Sequence, residues 1–194
     1  MTRTMLLLLA IPIGLLAGLA VGGRLSGLSK LSLRFTGMLL PALLIQLLIF
    51  PVFSEHAVLP FATAPLHILS YVLISIWILL NARILPLLLL GVGAISNFVV
   101  LLTNGGFMPA SIAALQRAGL DFPAERLLQE GVYSNLILLS ETTQLNFLGD
   151  ILYVPKWIPL ASAFSIGDLL ILLALIWLIV KGMRLDGKRT NKAA

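Results

Sequence analysis

Long apolar runs separated by short polar breaks dominate the pattern of side chains along the chain. Five of these runs approach the roughly 20 residues that an α-helix needs to cross a bilayer. The sequence therefore predicts an all-α membrane protein with five transmembrane helices, at about 5–21, 35–53, 65–80, 84–103 and 166–180.

The pattern changes between the fourth and fifth runs, because residues 104–159 contain no clean spanning helix. Ser111–Ala118 and Asp121–Glu130 have mixed faces and each precedes a glycine, which is typical of short amphipathic helices. We expect both to lie flat on the membrane with the apolar face down. Tyr133–Ser140 is apolar but too short to cross, and is interpreted as a re-entrant piece or a short helix. Residues 104–159 are called the outer cap below.

Composition agrees with one integral membrane domain over residues 1–194. Hydrophobic residues make up 59% of the chain and charged residues only 11%, against about 25% charged in soluble domains. The chain has no cysteine, which excludes disulfides and thiolate metal sites. The net charge of +5 does not indicate nucleic-acid binding here, since basic residues of membrane proteins mark the cytoplasmic side.

The distribution of basic residues predicts the orientation of the chain. With five crossings, nine of the 13 basic residues fall on one side, which the positive-inside rule makes cytoplasmic. We therefore expect a multi-pass protein of the cell inner (plasma) membrane, with its N-terminus outside and its basic tail, 181–194, in the cytoplasm. The outer cap then lies outside. The nine residues are Arg24, Lys30, Arg34, Arg83, Lys181, Arg184, Lys188, Arg189 and Lys192.

Small residues at a spacing of four mark one face of the first helix, at Gly14, Gly18 and Gly22. Such a stripe allows another helix to approach closely. Packing within the chain is the favoured interpretation, and contact with a partner membrane protein through this stripe or through the outer cap is the alternative. Membrane lipids are the other expected partner. Two intramembrane amides, Gln46 and Asn97, need hydrogen-bond partners and could meet across the bundle.

Two carboxylates flank the start of the last helix and are the candidate catalytic residues. Asp150 and Asp168 both follow a glycine, and the intervening turn contains Pro155 and Pro159, so it can fold back. Two carboxylates at an apolar boundary do not ionise together easily, and such a pair can activate water as an acid/base dyad. For each residue alone, a helix or turn cap is the favoured interpretation, and only the pair together indicates a shared functional site.

Other polar side chains on the same side extend this candidate site. Asn104, Glu141, Thr143 and Ser165 are the candidate binding residues. Oxygen ligands from the two aspartates, Asn104 and Glu141 could also hold a divalent cation such as Ca²⁺ or Mg²⁺. No cofactor motif is present, since Gly105-Gly106 is a turn and not a phosphate-binding loop.

A series of short motifs resembles one bacterial membrane family. They are N-G-G-x-M-P at Asn104–Pro109, T-x-L-x-x-L-G-D at Thr143–Asp150, and S-I-G-D at Ser165–Asp168 before the last helix. In this order they resemble the family catalogued as domain of unknown function 5317. The resemblance implies a bacterial inner-membrane protein without an assigned activity.

A local similarity to lipoprotein signal peptidase concerns the same side of the chain. Asp150, Asp168 and Asn104 have similar spacing to polar residues of that family, although this chain has S-I-G-D in place of N-x-A-D and lacks G-N-x-x-D-R. The resemblance would imply an aspartyl-dyad membrane peptidase. The main expectation is a non-catalytic subunit, a lipid-binding protein or an envelope accessory protein, and the peptidase and the outer-face cation site are alternatives.

Overall fold

The computed structural model describes residues 4–49 and 62–185, and this part of the chain is mostly helical. Its helices form a bundle, and three of the described helices are long and apolar enough to cross a membrane. The end of the second predicted helix, 50–53, and the tail beyond residue 185 lie outside the described residues.

The first apolar run forms two short helices instead of one, α1 (Thr4–Leu8) and α2 (Ala10–Ala20). At the junction, the amide of Leu9 donates to the carbonyl of Leu6, three residues earlier. Pro12 explains the interruption, because its ring has no N–H to donate and crowds the carbonyl four residues before it. The predicted continuous helix is therefore broken close to its start.

The second run begins with a short 3₁₀ helix, Thr36–Met38, and continues as α3 (Leu39–Ile49). The third and fourth runs form α4 (Thr63–Leu80) and α5 (Leu85–Thr103), which agree with the predicted spans to within two residues. A tight turn joins α4 to α5 as an antiparallel hairpin, and α3 packs mainly against α4.

The side chain of Asn81 fixes the turn between α4 and α5. Its Nδ2 donates to the carbonyls of Trp77 and Arg34, at 2.9 and 3.0 Å, and its Oδ1 accepts from the amide of Arg34 at 2.7 Å. Asn81 is buried, so these bonds satisfy an amide that has no access to water. The loop that precedes α3 is thereby attached to the same end of the bundle as this turn.

The outer cap is not built from helices alone, and this corrects the all-α prediction for this segment. It contains β1 (Met108–Ala110), α6 (Ile112–Arg117), α7 (Asp121–Glu130), β2 (Val132–Tyr133) and β3 (Leu136–Leu138). The strands form a small sheet in the order β1-β3-β2, with β1 parallel to β3 and β2 antiparallel to it. Both predicted short helices are present, and each ends at a glycine with positive φ, Gly119 or Gly131.

One further expectation for the cap is wrong, and a second is not tested by the packing. Tyr133–Ser140 is not a re-entrant or helical piece, because it contributes to strands β2 and β3. Part of the apolar surface of α6 and α7 packs with the end of α5 and with the sheet in one hydrophobic core, whereas Phe122 and Leu128 of α7 are exposed. The placement of both helices flat on the membrane stays a prediction. The helix residues in this core are Ala114, Leu115, Ala124 and Leu127.

A second hairpin leads from the cap into the last helix. Strands β4 (Leu152–Tyr153) and β5 (Ala163–Phe164) pair antiparallel, and α8 (Ile166–Met183) follows at once. Helix α2 runs parallel to α8, because Gly14 lies against Ile179 and Gly18 against Met183. These two glycines are therefore used for packing within the chain.

Gly22 has a different role from the other two members of the predicted glycine stripe. It lies just beyond α2 with φ +77°, and a side chain added there would meet no atom within 4 Å. It permits the left-handed turn that follows α2 and takes no part in close helix packing.

Candidate functional site

The site lies where α5 and α8 approach most closely. A Cβ added at Gly93 of α5 would lie 2.5 Å from the carbonyl oxygen of Gly167, at the start of α8. A Cβ added at Gly167 would collide with the side chain of Asn97. Two glycines on facing helices thus bring the backbones together, and Asn97, one turn after Gly93, reaches the first turn of α8.

Ser165, Asp168 and Asn97 form a closed hydrogen-bond network there. Ser165 and Asp168 make a capping box: the Ser165 hydroxyl accepts from the Asp168 amide and Asp168 Oδ2 accepts from the Ser165 amide, both at 3.0 Å. Asn97 Nδ2 donates to Asp168 Oδ1 at 2.7 Å, and the Ser165 hydroxyl donates to Asn97 Oδ1 at 2.8 Å. All three side chains are at most 3% exposed, so they bond each other where water is excluded.

Two aromatic side chains of α4 complete the cluster. The Tyr71 hydroxyl lies 3.4 Å from Asn97 Nδ2, and the Tyr71 ring stacks on Phe98. His67, one turn earlier, has its Nδ1 3.0 Å from the carbonyl oxygen of Gly106 and its ring edge-on to Tyr71. We call His67, Tyr71, Asn97, Ser165 and Asp168 the buried polar cluster; it joins three membrane-length helices.

An apolar cavity of about 370 Å³ extends from this cluster along the bundle. Its polar end is formed by His67, Tyr71 and Asp168. Gln46 also lines the cavity and contributes the one side-chain amide among the described residues of its wall. The other side chains of the wall are almost entirely aliphatic. That wall is formed by α3, α4, α5 and α8, with Leu7 of α1 and Leu33 of the segment before α3. On α3 and α8 it includes Leu39, Ala42, Leu43, Ile171, Leu175 and Leu178.

Asp150 occupies a different element from Asp168. It lies 1% exposed beside the end of β1, where its amide donates to the Pro109 carbonyl and its carbonyl accepts from the Ser111 amide. Asp168 lines the cavity and Asp150 does not. The contact between Asp150 and Asp168 stays a prediction.

The other predicted binding residues hold the loop that follows β3. Asn104, the C-cap of α5, donates to the Gln144 carbonyl at 2.9 Å and accepts from the Gln144 amide at 2.8 Å. The Thr143 hydroxyl contacts the Ser140 carbonyl and Asn146 Oδ1, at 2.9 and 2.7 Å. Glu141 is exposed on the same loop. The bonds of Asn104 attach this loop to the end of α5, and those of Thr143 hold the loop together internally.

A metal site would need several acidic or histidine side chains together. Within residues 4–49 and 62–185, no three His, Cys, Asp or Glu side chains are placed to hold one ion.

Sequence reasoning did not include Tyr71 and His67 among the site residues, and for Asn97 it stated only that Gln46 could meet it across the bundle. The structure pairs Asn97 with Asp168 and Ser165. A signal was present: His67, Ser70 and Tyr71 are polar or amphipathic residues three or four apart in an apolar helix, which places them on one face.

This fold and cluster define a mostly helical protein with apolar helices long enough to cross a membrane and a polar network buried between them. The model of the family of unknown function DUF5317 matches residues 30–180, so the chain belongs to that family. No curated protein and no solved structure matched the chain. The local similarity to lipoprotein signal peptidase therefore rests on the short motifs alone.

Proposed function

We propose that this protein binds a lipid-like molecule, whose apolar chain occupies the cavity and whose polar group lies beside the buried polar cluster. The observation that carries the proposal is the cavity itself, an aliphatic space that ends at His67, Tyr71 and Asp168. Ligand sites in proteins are commonly mostly apolar clefts of about 300–1,000 Å³ with a few convergent polar groups.

The position of the cavity among the helices supports a ligand drawn from the membrane. Its walls include α4, α5 and α8, which are the three helices long and apolar enough to cross a bilayer. Helix α3 packs mainly on α4 and contributes the facing wall through Leu39, Ala42 and Leu43. An aliphatic chain that moves from the bilayer into this space would exchange its contacts with lipid for equally apolar contacts with the protein.

The chemistry of the polar end favours a ligand with a hydroxyl or amine. The carboxylate of Asp168 accepts hydrogen bonds, and the phenol of Tyr71 and the imidazole of His67 can donate or accept. No lysine or arginine occurs among the residues that line the cavity in the described part of the chain. A phosphate group would therefore lack a cationic partner at this end, whereas a neutral or cationic group matches the carboxylate.

Native mass spectrometry of the purified protein, followed by lipid extraction, tests this proposal. We expect the full-length protein to retain a lipid-like molecule, and Ala42→Phe to release it because the larger ring enters the cavity. Ala20→Phe is the matched control, since Ala20 is exposed on α2 and lies outside the cavity. Equal retention by both variants, or a protein that carries no such molecule, would overturn the proposal.

We also propose five crossings of a bacterial inner membrane, with the N-terminus outside. Two features support this topology: α4 and α5 form an antiparallel hairpin, and α2 runs parallel to α8, as alternating crossings require. The apolar helices near 6–20 and 36–49 are shorter than the other three, and a bilayer accommodates short spans by local thinning at modest energy.

A further inference from the structure

A group of basic and aromatic side chains lies on the surface of the cap. Arg117, at the end of α6, places its guanidinium 5.4 Å from the centre of the Tyr153 ring on β4. Three residues after Tyr153, the amide of Lys156 donates to the Arg117 carbonyl at 3.2 Å. Trp157 follows directly. We call Arg117, Tyr153, Lys156 and Trp157 the basic–aromatic patch.

The patch exposes a large aromatic side chain, which the surface of a water-soluble protein rarely leaves uncovered. Trp157 is 78% exposed and Tyr153 is 37% exposed, beside the exposed Arg117 and Lys156. In the described part of the chain, neither basic side chain has a carboxylate within salt-bridge distance. An exposed indole next to two cations that no acid neutralises is typical of a surface that meets the headgroup layer of a membrane.

The patch is also attached to the point where α8 begins. The β4–β5 hairpin packs through Leu152 and Phe164 against Leu6 of α1 and Leu172 of α8. Since α8 is long and apolar enough to cross a membrane, the hairpin that contacts its first turns lies at the level where this helix would enter the bilayer. Lys156 and Trp157 lie in the loop of that hairpin, between β4 and β5.

We propose that the basic–aromatic patch docks on the headgroup layer of the membrane that holds the helices, with a preference for anionic lipids. Trp157 lies at the boundary between headgroups and acyl chains, and Arg117 and Lys156 contact the anionic groups. Each basic side chain near an anionic surface contributes about a fivefold preference. The contact fixes the cap on the membrane through the hairpin loop. This inference is independent of the cavity and its ligand.

The absence of cysteine from the sequence makes a clean test possible. In full-length protein reconstituted in lipid nanodiscs, Trp157→Cys carries a polarity-sensitive fluorophore, and Glu125→Cys, exposed on α7, carries it in the control. We expect blue-shifted emission at position 157 and quenching by spin-labelled lipids that exceeds the control by roughly twofold or more. Water-like emission at 157, with quenching equal to the control, would overturn the proposal.

The charge preference is measured in the same labelled protein. Raising the anionic lipid content from none to a third should increase lipid quenching at position 157, and Lys156→Gln together with Arg117→Gln should remove that increase. Arg126→Gln, which removes a charge elsewhere in the cap, should leave it unchanged. Quenching that does not respond to anionic lipid in the parent protein contradicts the electrostatic part of the proposal.

Discussion

Asn97 connects two helices through a single side chain in a place that water does not reach. Its amide donates to Asp168, and its carbonyl oxygen accepts from the Ser165 hydroxyl. Removing one member of such a network takes one hydrogen-bond partner from each buried group that it contacts, and the cost of leaving those atoms desolvated exceeds the net free energy of the lost bond.

Asn97→Leu should therefore destabilise the protein by about 1–3 kcal/mol. The leucine fills similar space but removes the Asn97 donor from Asp168 Oδ1 and the Asn97 acceptor from the Ser165 hydroxyl. Thr103→Ala is the control on the same helix, because the exposed Thr103 hydroxyl donates to carbonyls of α5 and accepts from the neighbouring Asn104 Nδ2, and so takes no part in the buried polar cluster. Thermal unfolding in detergent micelles measures both, and equal midpoints for the two variants would show that the network contributes little.

A double-mutant cycle tests whether Asp150 and Asp168 act as a pair. If they share a proton or contact each other, the effects of Asp150→Asn and Asp168→Asn on the free energy of unfolding should deviate from additivity by about 0.5–3 kcal/mol. Additive effects would remove the dyad.

The same single variants, if stably inserted and fully functional in cells, would rule out catalysis by either residue.

Part of this residue-scale arrangement could be predicted from sequence. Ser165 and Asp168 have the spacing of a capping box, and the interpretation of Asp168 as a helix cap, which is favoured for that residue alone, is confirmed. The partner of Asn97 could not be predicted, because Asp168 is 71 residues away and spacing along one chain does not determine which intramembrane polar groups meet.

At the scale of helices, the contact between α5 and α8 depends on two small residues. Gly93 and Gly167 face each other at this crossing, and a Cβ on either would enter atoms of the opposite helix. Close backbone approach through small residues is a general basis of helix association in membranes. The position of Asn97 relative to Asp168 follows from this approach.

Gly167→Ala should cost about 1–3 kcal/mol, because the added methyl group forces the helices apart or displaces Asn97. Gly37→Ala is the matched control, since Gly37 has open space around it and an ordinary negative φ. The free energy of unfolding by denaturing detergent measures both. A Gly167→Ala protein as stable as the control would contradict the packing described for this crossing.

Elements differed in how well sequence predicted them, and length explains the difference. The spans α4, α5 and α8 followed from hydropathy, because about 18 successive apolar residues leave few alternatives. Strands β1, β2 and β3 have two or three residues each, and β1 pairs with β3 across 28 positions, as Met108 does with Leu136. Two or three residues are too few to show the alternation of apolar and polar side chains that identifies a strand. The pairing of these strands therefore depends on contacts that form only in the folded chain.

At the scale of the whole molecule, the basic residues predict a defined orientation in the membrane. A fluorescent reporter that folds only in the cytoplasm, fused after Ala194, should be active, and a periplasmic phosphatase at the same position should be inactive. Fusions after Asn104 should give the opposite pattern. Phosphatase activity at Ala194 would reverse the topology and place the outer cap in the cytoplasm.

The cavity is the property of the whole molecule that no local pattern predicted. Its wall joins residues from Leu7 to Leu178, which only the packed bundle brings together. Hydropathy identifies each helix as apolar but does not show which apolar faces leave space between them.

Photo-crosslinking with a lipid that carries a diazirine in its acyl chain tests the central claim, binding of a lipid-like molecule in the cavity, most directly. Adducts located by peptide mass spectrometry should fall on the inward residues Ala42, Ile171 and Leu175, and Ala42→Phe should remove them. Leu47 and Leu173 are exposed, so adducts on them would show only ordinary contact with the bilayer. Adducts confined to such exposed positions, in both the parent protein and Ala42→Phe, would contradict lipid binding in the cavity.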